Sequence, residues 1–115
     1  MSEPPRSRNA ARHAYIAKVL RAYRATPGVL GRIRDADRQL AGQLFDREIP
    51  FYTVVNALII AAGRRARHNA FSTPLPPVRS LHYFVAVIRE VLERPPGLRE
   101  IDDLRRSLGL HDPRL

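Results

Sequence analysis

The sequence predicts an all-α protein, a compact bundle of four to five short helices preceded by a basic N-terminal arm. Apolar residues recur at helical spacing through most of the 115-residue chain, and proline and glycine separate the periodic segments. No segment alternates between apolar and polar residues as a half-buried strand does. With this length and 44% hydrophobic residues, we expect one domain with a single core. The domain should cover residues 9–110, between a flexible basic arm at 1–8 and a tail at 111–115.

The first predicted helix begins at Asn9, a residue suited to cap it, and follows an arm rich in proline, serine and arginine. Its apolar stripe has i, i+3, i+4, i+7 spacing and comprises Ile16, Val19, Leu20 and Tyr23. The segment Thr26-Pro27-Gly28 should end the helix, because proline disfavours helical geometry in the residue before it.

The second helix should begin near Asp35, whose carboxylate suits a helix N-terminus, and end at about Asp46. The third should run from Pro50, where a missing N–H costs nothing, to Arg67. It is apolar around most of its circumference, which is typical of the central helix of a small bundle. The pair approximates a helix-turn-helix motif. However, the turn lacks glycine and the third helix is too apolar for a DNA groove, so a hairpin packed in the core is favoured.

A rigid, proline-containing connector at 68–79 precedes the fourth helix, which Ser80 should cap. The buried face of this helix should comprise Leu81, Phe84, Val85, Ile88 and Leu92. The segment Arg94-Pro95-Pro96-Gly97 should end it. A shorter fifth helix then follows, and Gly109 suits its C-terminal cap. Its apolar residues are Leu98, Ile101, Leu104 and Leu108.

Basic residues are concentrated in the first third of the chain. The protein has 20 Lys+Arg against 11 Asp+Glu, for a net charge of +9, and residues 1–34 hold eight basic residues against one acidic residue. Such an excess is typical of proteins that neutralise nucleic-acid phosphates. The candidate nucleic-acid-binding residues are Arg6, Arg8, Arg12, Lys18, Arg21, Arg24, Arg64, Arg65 and Arg67. The alternative is a solvated helix face, with the last three attracted to the negative end of a helix dipole.

No catalytic motif is present in the sequence. It contains no Gly-rich phosphate loop, no nucleophile elbow and no His-Glu-x-x-His pair, and the absence of cysteine excludes disulfides and thiolate chemistry. The four histidines lie on different predicted segments without metal-ligand spacing; they are His13, His68, His82 and His111. We therefore expect a protein that is not an enzyme and has no metal or other cofactor.

The sequence offers no apolar segment suited to a membrane. The longest apolar stretch, 54–63, is about half the length of a membrane span, and the N-terminus lacks the apolar core of a signal peptide. We therefore expect a cytoplasmic protein that contacts no membrane.

Four short segments within residues 35–92 together resemble part of a known protein family. They are Asp37-Arg38-Gln39-Leu40-Ala41, Glu48-Ile49-Pro50, Val55-Asn56-Ala57-Leu58 and Pro77-Val78-Arg79-Ser80-Leu81-His82-Tyr83-Phe84. Together they resemble a small helical module near the C-terminal end of replication-initiation and primosome-type proteins of plasmids, phages and other mobile elements. In that family the module accompanies a larger DNA-binding domain, so the resemblance implies a DNA-associated accessory or initiator fragment.

Two functions are compatible with the sequence. The first is a non-catalytic nucleic-acid-binding accessory protein, with DNA favoured, that works in a replication or mobile-element assembly and contacts phosphates through its N-terminal arginines. The alternative is a helical protein-interaction subunit, the small subunit of a multi-protein ribonucleoprotein complex of the CRISPR-effector kind. Both functions predict nucleic acid, DNA or RNA, and larger proteins as partners.

Overall fold

Helices dominate the computed structural model, which describes the backbone of residues 5–110 and the side chains of residues 7–110. The helices are α1 (Pro5–Ala25), α2 (Asp35–Asp46), α3 (Phe51–Phe71), α4 (Val85–Glu93) and α5 (Leu98–Ser107), and a 3₁₀ segment (Leu81–Phe84) leads directly into α4. Within the described range, the strand-like pairing is limited to one bridge between Val29 and Val78. The predicted all-α fold of short helices is confirmed.

Helix α1 begins at Pro5, four residues before the predicted start at Asn9. Proline suits the first turn because its missing N–H would have no intrahelical acceptor there. Positions 5–8 of the predicted arm are therefore helical. The remaining arm positions, 1–4, and the predicted tail at 111–115 lie outside the described residues.

Helix α3 extends one turn beyond its predicted end at Arg67, to Phe71, and Pro50 precedes it as the N-cap. Residues 68–71 contain no proline or glycine, so the helix continues until the approach to Pro74 ends it. As a result, the three arginines predicted for its last turn lie inside the helix.

Helix α3 occupies the centre of the bundle, as predicted, and packs against α1, α4, α5 and the 3₁₀ segment. Its innermost side chains, Val54, Ala57 and Leu58, are completely buried. A helix covered in this way cannot lie in a DNA groove, which argues against the helix-turn-helix motif. The predicted hairpin of α2 and α3 is not the main packing unit either, because α2 packs chiefly against α1 and the 3₁₀ segment. No helix within residues 5–110 combines the length and apolarity needed to cross a membrane.

The 3₁₀ segment changes which face of α4 is buried. The predicted cap is present, since the Ser80 hydroxyl accepts from the His82 N–H at 3.2 Å. Leu92 was predicted in the core but is 48% exposed, whereas its neighbour Val91 is 4% exposed. A 3₁₀ turn rotates the chain by about 120° per residue instead of about 100°, which moves Val91 toward the core and Leu92 away from it. In α5, Leu98 was predicted to lie on the apolar face. It is 86% exposed instead, because it is the first residue of the helix and lies outside the core.

Asp37 joins the start of α2 to the start of the 3₁₀ segment. Its side chain is 1% exposed; one oxygen accepts from the Arg34 N–H at 2.9 Å, and the other accepts from the Leu81 N–H at 2.9 Å. The first bond satisfies an N–H at the helix N-cap, as the carboxylate of a capping box does. From the sequence, we expected the carboxylate of Asp35 to cap the N-terminus of α2. That side chain is exposed, and the carboxylate of Asp37 accepts from the N-cap N–H instead.

We expect Asp37→Ala to lower the free energy of unfolding by about 3 kcal/mol, because one buried and one partly buried N–H group lose their acceptor. Asp37→Asn should recover only part of this loss, since an amide has a single acceptor oxygen. Urea denaturation at neutral pH measures both values, and Asp35→Ala, at an exposed position, should change them by about 0.5 kcal/mol or less. Equal effects at positions 35 and 37 would contradict this role for Asp37.

Candidate nucleic-acid interface

Helix α1 carries six basic residues and no acidic residue along its 21 residues. Its inner face is anchored by Tyr15, whose hydroxyl donates to the Ile49 carbonyl at 2.7 Å, and by the buried side chains of Val19 and Tyr23. Burial raises the pKa of Tyr15 to about 12, so this hydroxyl keeps its proton to a higher pH than an exposed tyrosine does. The basic side chains described on this helix form two groups, one directed toward α2 and one exposed to solvent.

Arg8 and Arg12 belong to the group that contacts α2. The Arg12 guanidinium donates to both oxygens of Asp46, at 3.0 and 3.1 Å, and the Arg8 guanidinium carbon lies 5.3 Å from the ring centroid of Phe45. Gly42 leaves room for Arg12, because a Cβ at that position would overlap its guanidinium. Arg12 thus holds α1 to α2, and its charge is already matched by a carboxylate.

Lys18, Arg21 and Arg24 are exposed to solvent, and we call these three residues the α1 face. Their three-residue spacing keeps them within about 120° of the helix circumference. Lys18 Nζ lies 5.9 Å from the centroid of the Phe51 ring, and no ion pair among the described residues involves any of the three. The backbone of Arg6 is also part of α1, but its side chain lies outside the described residues.

The three arginines predicted near the end of α3 have different environments in the structure. Arg64 makes a bidentate pair with Glu90, at 2.8 and 2.9 Å, and its hydrogen bond holds the pKa of that carboxyl below its usual value. Arg67 is exposed. Arg65 is 7% exposed, donates to the Pro76 carbonyl at 2.6 Å and to the Tyr83 hydroxyl at 3.1 Å, and stacks on the Tyr83 ring. Arg65 is therefore buried in the fold, and its charge is less accessible to a ligand than the charges of Arg64 and Arg67.

Sequence reasoning missed a further group of arginines. The Leu30 N–H donates to the Val78 carbonyl and the Val78 N–H to the Gly28 carbonyl, both at 2.8 Å, which brings the loop before α2 beside the segment before Ser80. Between them lies a cleft of about 400 Å³. We call it the arginine cleft; its charged lining residues are Arg32, Arg34 and Arg79, with Asp35 as the single carboxylate. The loop reaches this position through Gly31, whose φ of +105° favours glycine.

The histidines do not assemble a site within the described residues. His13, His68 and His82 are each exposed on different elements, and His111 lies outside the described residues. In residues 5–110, no group of three or more histidine or carboxylate side chains is arranged to hold a metal ion.

Comparison of the chain with family models, curated proteins and solved structures gave no match. The basis for a functional proposal is therefore the charge distribution of the chain itself. Of the predicted residues, Arg12 and Arg64 are held in ion pairs and Arg65 is buried, whereas Lys18, Arg21, Arg24 and Arg67 present their charges to solvent.

The Arg12–Asp46 pair predicts a local pH dependence. The hydrogen bond from Arg12 lowers the pKa of Asp46 below its ordinary value of 3.8, so the pair stabilises the fold at neutral pH and is lost as the pH falls below about 4. Arg12→Ala should raise the pKa of Asp46 to its ordinary range and make the acid-induced fall in Tm shallower. An NMR titration of the Asp46 carboxyl carbon measures the shift, and Arg38→Ala, which removes the distant partner of Asp35, should leave it unchanged.

We expect Arg65→Ala to lower the free energy of unfolding by about 2 to 4 kcal/mol, because it leaves the Pro76 carbonyl without its donor and removes buried packing. Arg67→Ala, two residues away, should cost about 0.5 kcal/mol or less. Thermal and urea denaturation compare the two variants. Similar small losses would show that Arg65 has no structural role.

Proposed function

We propose that this protein is a non-catalytic nucleic-acid-binding accessory protein that contacts phosphates through the α1 face. The observation that carries the proposal is an acid-free helix that exposes Lys18, Arg21 and Arg24 on one side. No carboxylate on α1 competes with a phosphate for these cations. The α1 face differs in this respect from Arg12 and Arg64, whose charges are neutralised within the fold.

The dimensions of the α1 face suit a phosphate backbone. At about 1.5 Å per residue, Lys18 to Arg24 span about 9 Å along the helix. One DNA strand presents a phosphate about every 3.4 Å along its axis, so the face can reach two or three of them. The exposed residues beside these cations include Ala10, Ala14 and Ala17, which have no side-chain donor or acceptor for base edges. Binding should therefore be independent of sequence and strongly dependent on salt.

DNA is the favoured nucleic acid, and a replication or mobile-element assembly is the favoured setting. Both follow from the resemblance of residues 35–92 to the helical module of replication-initiation proteins, where the module works beside a larger protein. In such an assembly the α1 face would hold DNA while other surfaces contact the larger partner, and we expect the protein to act in the cytoplasm.

A second candidate is the small subunit of a ribonucleoprotein complex, of the CRISPR-effector kind. The exposure of two large apolar side chains at element ends favours it, since Phe71 is 84% and Leu98 is 86% exposed. In this function the α1 face would line an RNA or DNA groove completed by neighbouring subunits. The isolated protein would then bind nucleic acid weakly, whereas the first function predicts binding by the protein alone.

The proposal predicts a specific fall in salt dependence for the triple variant Lys18→Ala, Arg21→Ala, Arg24→Ala. On duplex DNA, the slope of log affinity against log salt should decrease by about 0.9 for each phosphate that the variant no longer neutralises. Fluorescence anisotropy with single- and double-stranded DNA and RNA at several salt concentrations measures it. The helical circular-dichroism spectrum and Tm should remain nearly unchanged, because all three side chains are exposed.

The matched control is Arg47→Ala, Arg89→Ala, Arg99→Ala, which removes the same charge from three exposed positions on other elements. Its salt slope should remain close to that of the unmodified protein. Equal decreases in both triple variants would show that only net charge matters. Absence of binding to every nucleic acid at low salt would overturn the function and favour the ribonucleoprotein subunit.

A further inference from the structure

The arginine cleft contains three positive side chains that make no ion pair within the fold and do not belong to the α1 face. Arg32, Arg34 and Arg79 are exposed, and none of them takes part in an ion pair among the described residues. The arginines that do serve the fold hold their carboxylates at 2.7 to 3.0 Å. Asp35, the only carboxylate in the lining, has Arg38 as its own neighbour at 3.9 Å. The charged lining therefore has a net charge of +2.

The cleft is held together by backbone contacts and not by its charges. The Val29–Val78 bridge joins its two walls, and Asp37 fixes the backbone at both Arg34 and Leu81. The fold thus brings the three arginines to the lining of one cleft. An anion bound there would face three cations, and the attraction is stronger in a concave site than on an open helix.

We propose that the arginine cleft binds a phosphate group with two negative charges, a phosphomonoester. A phosphomonoester carries a charge of about −1.5 to −2 at neutral pH, which matches the net charge of the lining, whereas a backbone phosphodiester carries only one. Arginine suits the ligand because its planar fork donates two parallel hydrogen bonds to phosphate oxygens. The volume of about 400 Å³ lies within the range of small-molecule sites, about 300 to 1,000 Å³.

Two molecules could supply this phosphate group. One is a free phosphomonoester, and the other is the phosphorylated 5′ end of a nucleic acid strand. The second source rests on the proposed function, whereas the first does not. One experiment with a small anion and one with oligonucleotides distinguish the two sources.

The first experiment titrates the protein with inorganic phosphate above its second pKa, at an ionic strength held constant with chloride, and follows backbone amide resonances by NMR. Saturable shifts with a millimolar or tighter Kd are expected at residues 30–35 and at Arg79. The triple variant Arg32→Ala, Arg34→Ala, Arg79→Ala should abolish them. Asp35→Asn should strengthen binding, because it removes the one repulsive charge in the lining. The control variant Arg47→Ala, Arg89→Ala, Arg99→Ala should bind phosphate as the unmodified protein does.

Shifts that do not saturate, or that persist in the cleft variant, would overturn the site. Because Arg32, Arg34 and Arg79 are exposed, the cleft variant should keep its circular-dichroism spectrum and Tm. A disappearance of saturable binding in that variant thus reports on the site and not on folding.

The second experiment compares one single-stranded oligonucleotide with a 5′-phosphate and with a 5′-hydroxyl. The unmodified protein should bind the phosphorylated form about tenfold more tightly, the factor expected from one charge-assisted hydrogen bond. This preference should disappear in the cleft variant and persist in the α1-face variant, although the latter binds both forms more weakly. Saturable binding of inorganic phosphate without any preference between the two oligonucleotides would support the site with a free phosphomonoester as its ligand. Failure of all nucleic-acid binding with phosphate binding intact would overturn the proposed function and leave the cleft supported.

Discussion

The buried carboxylate of Asp37 is the contact on which the arrangement of the arginine cleft depends. Its two oxygens accept hydrogen bonds from the backbone N–H groups of Arg34 and Leu81. Leu81 lies 44 residues after Asp37 in the chain. A single side chain thereby fixes where α2 begins and where the 3₁₀ segment begins, and with them both walls of the arginine cleft. A carboxylate suits this position because it offers two acceptor oxygens, and hydrogen bonds to a charged group are about twice as strong as neutral ones.

Some arginines of this protein stabilise the fold, which the net charge alone does not reveal. Arg12 and Arg65 are structural, and each packs beside a glycine that allows close approach. A Cβ at Gly42 would overlap Arg12, and a Cβ at Gly28 would lie 3.0 Å from Arg65 Nε. Arg12 is paired with a carboxylate, whereas Arg65 donates to a carbonyl and a phenol and its buried Nε has no hydrogen-bond partner among the described residues. The Arg12–Asp46 pair adds nothing to the net charge of +9, and the charge of Arg65 is buried, so the charge available to a ligand lies on the other basic residues.

The sequence predicted the order of the helices because each has an apolar period, and it placed their ends best where proline or glycine marks the boundary. It could not predict the exposure of Leu92, because that depends on a 3₁₀ turn whose phase differs from the α-helical one. The burial of Arg65 was not predicted, because a charged residue is usually exposed. Its position nevertheless follows the buried Leu58 and Ala61 at helical core spacing. The arginine cleft depends on a bridge between Val29 and Val78, and pairing across such a distance leaves no local pattern in the sequence.

The α1 face and the arginine cleft share one end of the bundle. Burial raises the pKa of Tyr23, the charge of Asp37 raises it further, and that of Arg34 opposes this, so the last turns of α1 lie within electrostatic reach of the cleft wall. Only seven residues, 25–31, separate Arg24 from Arg32 along the chain. Taken together, the two proposals would place the end of a bound strand in the cleft. There a terminal phosphate, with its second negative charge, would meet three guanidinium groups, whereas an internal phosphate on the helix meets one side chain at a time. Sequence-independent binding along the strand and selectivity for its end can therefore coexist in one small domain.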